Sequence, residues 1–122
     1  MKLEQQVLII EQVRELQELG FDIEKSASMC WAKFFDRDNF YRILNKEYAE
    51  YAELNDYIPT LTIGDIIEYL PEEIEEKILN IFAFGETWSV GWEGVQYCGS
   101  NTLIDALFEI LKWCIKEKHI EL

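Results

Sequence analysis

The chain has 122 residues, 24 acidic against 11 basic side chains and a net charge of -13, with 49% hydrophobic and 14% aromatic content. That length and apolar mass fit one folded domain, 1–122, and exclude an acidic disordered tail. The charge excludes direct nucleic-acid binding and attachment to an anionic membrane, since both need a basic surface. It is also local: residues 47–111 hold 14 acids and one base, Lys77, while the flanking parts balance.

The N-terminal apolar run, 7–10, is too short for a signal-peptide core. The longest nearly apolar stretch, 103–115, is broken by Asp105, Glu109 and Lys112 and is too short to span a bilayer. A cytoplasmic protein is expected. Cys30, Cys98 and Cys114 are odd in number and widely spaced, which indicates neither a disulfide framework nor a zinc site.

In chain order, Ile9, Val13 and Leu16, with Leu3, Val7 and Ile10 on a neighbouring arc, predict a helix over 3–19 that Gly20 caps. Residues 28–35 and 40–45 are short, aromatic-rich strands around the turn residues 36–39, an antiparallel hairpin; a helical reading of 26–35 stays open. Residues 46–56 fit no template cleanly and read as a helix or an acidic surface segment. Thr62 and Asp65 mark an N-cap, Ile63, Ile66, Ile67 and Leu70 an apolar face, and Pro71 the end of a helix over 62–70. Residues 72–76 read as a solvated acidic connection.

Residues 78–84 are apolar on both faces, the pattern of a central strand covered on two sides. After a turn at Gly85-Glu86, Trp88, Val90 and Trp92 alternate with Thr87, Ser89, Gly91 and Glu93, a strand with one buried face. Glu93-Gly94 turns or bulges the chain towards 95–98. Thr102 and Asp105 repeat the Thr-x-x-Asp cap and open a helix over 102–117, polar only along Asp105, Glu109, Lys112 and Lys116. A helix apolar around so much of its girth must lie in the core, and in so small a domain it makes a homodimer with part of that helix at the interface an expectation. The fold class is α+β: an N-terminal helix, two antiparallel hairpins in one sheet, a short middle helix and a buried C-terminal helix. The matched caps hint at a ββα pseudo-repeat, 28–70 and 78–116.

Leu16-Gln17-Glu18-Leu19-Gly20-Phe21-Asp22, the segment around Trp31, the stretch from Ile58-Pro59-Thr60-Leu61-Thr62 to Pro71, and the closing stretch 103–111 together resemble a set of short proteins of gut Bacteroides, their phages and mobile elements. The resemblance covers most of the chain, and its strongest piece is the Pro-Thr-Leu-Thr helix start. It implies a mobile-element accessory protein. That set has no established activity, so the resemblance assigns no residue a role.

No catalytic, cofactor or metal site is read from the residues. His119, the only histidine, lies in a charged tail expected to fray, with no nucleophile near it in sequence. Cys30 and Cys114 read as buried small hydrophobes, and Cys98 has no base close in sequence. No phosphate loop and no calcium loop is present. Two candidate surfaces remain. The first is acidic: Glu47, Glu50, Glu53, Asp56, Glu68, Glu72, Glu73, Glu75 and Glu76, either imitating a nucleic-acid backbone or only solvating the fold. The second is aromatic: Trp88, Trp92 and Tyr97, either a ledge for a ligand or core packing under the last helix. Three classes of function follow: a non-catalytic interaction or accessory module with a protein partner, an acidic decoy of a nucleic-acid-binding protein, and, ranked last, an enzyme using carboxylates or Cys98.

Overall fold

In a computed structural model, residues 2–33, 41–51 and 57–122 are described. The fold is α+β. A 3-10 turn at Leu3–Gln5 leads into α1 (Ile10–Glu18) and α2 (Ile23–Ser26), followed by β1 (Met29–Lys33), β2 (Tyr41–Asn45), α3 (Lys46–Tyr51), β3 (Tyr57–Thr60) and α4 (Ile63–Tyr69). A small hairpin, β4 (Glu73–Ile74) and β5 (Lys77–Ile78), precedes β6 (Asn80–Phe84), β7 (Thr87–Trp92) and β8 (Gln96–Ser100), and α5 (Leu103–Lys116) closes the fold.

The N-terminal helix is shorter than its periodicity implies. Residues 6–9 leave the helix because they find backbone partners across the fold: Leu8 N–H donates to Leu61 O at 3.0 Å, Ile63 N–H donates to Gln6 O at 3.1 Å, and Val7 bridges Thr62. These tertiary bonds turn the segment out of the helix and leave Leu3 and Ile9 exposed. Val7 and Leu8 end in the core all the same. Residues 46–51 are helical and 29–33 form a strand, which settles the two open readings over those residues. The expected turn at 36–39 and the rest of 46–56 lie outside the described residues.

The two hairpins do not share a sheet. One three-stranded antiparallel sheet has the order β2-β1-β3, a second has the order β6-β7-β8, and β4-β5 stands apart. The halves 28–70 and 78–116 thus share a sheet followed by a Thr-capped helix but differ in strand order. The caps differ as well. Thr62 and Asp65 close a full capping box, and the Asp65 carboxylate also accepts from Ser28 Oγ at 2.7 Å, pinning α4 to the start of β1. Thr102 Oγ1 accepts from Asp105 N–H, but the Asp105 carboxylate is engaged by Gln12 Nε2 at 2.8 Å and ties α5 to α1.

The core is built around α5. Leu107, Ile110, Leu111 and Cys114 are fully buried against Leu8, Val13, Leu16, Ile66, Val90 and Trp92. Outside the polar stripe, its own chain buries this helix except at Leu103 and Trp113, which are partly buried. Lys112, in that stripe, reaches Glu15 of α1 at 2.9 Å and Glu109 at 3.4 Å. The tail after α5 is tied rather than frayed. His119 N–H donates to Cys114 O at 2.8 Å and Lys118 N–H to Ile115 O, with Lys118 at φ 61, a Schellman closure. His119 then stacks on Trp113 with ring centroids 4.8 Å apart.

Candidate interaction surface

Register sorts the second sheet into two faces, since directly paired residues share a side. Ile81, Val90 and Cys98 form one row, and Ala83, Trp88 and Ser100 the next. With Trp92 these make the inner face, of which Ile81, Trp88, Val90, Trp92 and Cys98 join the core around α5 while Ala83 stays exposed. The candidate aromatic residues are therefore divided. Trp92 is fully buried, its Nε1 donates to Pro71 O at 3.2 Å, and its ring lies 6.1 Å from that of Trp113. Trp88 is half-buried against the core. Only Tyr97 belongs to the opposite face, so the three make no common ledge.

The outer face holds Asn80, Gly91 and Tyr97 in one row, Phe82, Ser89 and Gly99 in the next, and Phe84 with Thr87 at the end. Asn80 Nδ2 donates to Tyr97 Oη at 3.3 Å, and Phe82 meets Tyr97 edge-on at 5.6 Å. Gly91 lies buried in the middle of the sheet, where a Cβ would fall 1.9 Å from Gln96 O. No helix covers this face among the described residues. Phe82 stays 45% exposed and Phe84 83%, and Ile78, at the end of β5, is 74% exposed. This corrects the expectation of a central strand covered on both sides over 78–84: the run breaks at Leu79, whose N–H donates to Glu72 O at 2.9 Å, and β6 is an edge strand. Apolarity on both faces is shared by central strands and by strands that offer one face to a partner, so pattern alone does not separate the two.

All seven described acids of the candidate acidic surface are exposed, divided between Glu47 and Glu50 on α3 and Glu68, Glu72, Glu73, Glu75 and Glu76 on α4 and the hairpin after it. Glu53 and Asp56 lie outside the described residues. Glu75 and Glu76 both take positive φ, 51 and 67, in the two-residue turn between β4 and β5, positions that favour glycine or asparagine.

The thiols are unsuited to nucleophilic work as they stand. Burial pushes Cys114 up to about 12. Burial, with the field of Glu24 second, raises Cys30, and burial also raises Cys98. Among the described residues no group of three His, Cys, Asp or Glu side chains is placed to hold a metal ion. Two apolar clefts lie among the described residues, one of about 330 Å³ between Leu3, Val7, Met29 and Ile63, and one of about 260 Å³ between Ile9, Ile10, Trp31 and Tyr41. No helix among the described residues is long and apolar enough to cross a membrane. No protein-family model, curated protein or solved structure matches the chain.

Proposed function

We propose that the protein is a non-catalytic interaction module of the cytoplasm that docks a protein partner on the outer face of the second sheet. The carrying observation is that Phe82 and Phe84 stand open to water beside the half-buried Tyr97, on a chain of net charge -13. Exposed apolar patches on acidic proteins are disfavoured unless something covers them, and aromatic anchors are the side chains that dominate binding energy. The resemblance to proteins of phages and mobile elements supports an accessory role. An enzyme using carboxylates or Cys98 is the weakest reading; for the thiol, burial raises Cys98 and favours its neutral form.

The second reading, an acidic decoy, draws support from the exposure of the carboxylates at 47–50 and 68–76. One experiment separates the two: capture from an extract of the source organism at low and at high salt, with wild type and with Phe82→Ser/Phe84→Ser. The module reading expects a partner held at both salts by the wild type and lost by the double variant. Capture that the double variant leaves intact and that salt abolishes overturns it in favour of the decoy.

A further inference from the structure

We infer that β6 is a self-pairing edge: two copies join their β6 strands antiparallel, about a twofold axis through Phe82, into one six-stranded sheet. This rests on the interaction-module reading and names its partner as a second copy of the chain.

The backbone sets the register. Gly85, at φ 63, is the first residue of a two-residue loop between Phe84 and Thr87, the arrangement in which those two flanking residues bond to each other. Antiparallel alternation then turns the N–H and C=O of Phe84, Phe82 and Asn80 towards β7, and those of Ile81 and Ala83 outwards. Leu79 is next in the outward series, and its N–H is taken by Glu72 O. The open edge is therefore Ile81 and Ala83. One antiparallel register uses both completely: Ile81 of each copy opposite Ala83 of the other, with Phe82 facing its own mate across the axis. On the outer face, Phe84 then lies beside Asn80 of the other copy, and the exposed phenylalanines of both copies form one cluster.

Charge selects the same arrangement. Residues 80–84, Asn-Ile-Phe-Ala-Phe, carry no charge, proline or bulge, the devices that keep edge strands apart. Antiparallel pairing carries Lys77, the single base of 47–111, to the end of the interface where the other copy presents Glu86. It also sets the two acidic hairpins at opposite ends of the shared strand, roughly 17 Å apart at 3.4 Å per residue. That is beyond the screening length of about 8 Å in physiological salt. Parallel pairing would set them side by side. The twofold consumes the single β6 of each copy, so assembly stops at two. The exposed surface of Phe82, Phe84 and Ile78, at roughly 150–250 Å² for a whole aromatic side chain, falls short of the ~1,200 Å² of a stable interface. The dimer is therefore weak.

The test is mass by light scattering on the purified full chain, from low micromolar to sub-millimolar concentration, with hydrogen exchange on the same samples. The wild type is expected to rise from monomer towards dimer and no further, with the amides of Ile81 and Ala83 gaining protection as concentration rises. Ala83→Pro removes an outward N–H and leaves the ladder to β7 intact, and is expected to weaken association at least about tenfold. Phe82→Ser keeps every backbone donor and is expected to weaken it less. A wild type that stays monomeric, that grows past the dimer, or that dimerises without protecting Ile81 and Ala83 overturns the inference. If that monomer still captures a partner that Phe82→Ser/Phe84→Ser loses, the second copy fails and the module reading stands; if the wild type captures nothing through this face, both fail.

Discussion

The two three-stranded sheets are nearly equal in size and opposite in treatment. The first is covered twice. On one side α3 lays Ala49 over Cys30 and Ala32, with Leu44 and Tyr57 at the rim. On the other, Trp31 Nε1 and Thr60 Oγ1 both donate to Leu8 O, at 2.8 and 2.7 Å, and hold the N-terminal segment on the sheet. The second sheet has α5 on one side and water on the other. A helix covers the second face of one sheet, while on the other Phe82 and Phe84 stay exposed and Tyr97 half-buried. The same polar substitution should therefore be severe on one sheet and mild on the other.

Ala49→Asp would place a carboxylate under α3 and should cost about 3 kcal/mol or more, exposing β1 and β2 to hydrogen exchange before the rest of the chain. Gly91→Ala tests the close approach of β7 to the β8 backbone: with a Cβ 1.9 Å from Gln96 O, it should cost up to about 3 kcal/mol by denaturant unfolding. Alkaline titration reads the shared core. The Cys114 thiol is raised to about 12 in the fold from an ordinary value of 9.0. The unfolded chain therefore releases that proton first, and stability present below pH 9 should fall between about pH 9 and 12, by up to about 1.4 kcal/mol per pH unit. Cys114→Ala should flatten that slope. Lys118→Gly relieves a positive φ in the closing turn and should stabilise by about 1 kcal/mol in thermal melts. Phe84→Ser, on the open face, should change monomer stability by no more than about 0.5 kcal/mol. A large loss there would mean the outer face is structural after all and would erase the contrast between the sheets.

Elements whose burial pattern is local were legible in the residues. The stripe Asp105, Glu109, Lys112 marks α5 because three-and-four spacing has one geometric meaning, and Trp88, Val90 and Trp92 mark the inner face of β7 by strict alternation. The Thr62 cap was readable for the same reason. Residues 6–9 were not, because bonds to 61–63 lie more than fifty positions away. The candidate surface was half-legible. Tyr97 was named, but Phe82 and Phe84 were assigned to a buried strand, since their neighbours Ile81 and Ala83 look equally apolar and nothing local says that β6 has a partner on one side only. Two consecutive glutamates at positive φ carry no local signal at all.

The bond from Gln12 to Asp105 joins residues 93 positions apart, and the helix it anchors supplies the centre of the core to α1. During synthesis, then, Leu8, Val13 and Leu16 leave the ribosome long before the side chains that bury them exist. The first half of the chain must wait, with its apolar residues open, until α5 emerges. A truncation before residue 103 should yield aggregate rather than a smaller domain.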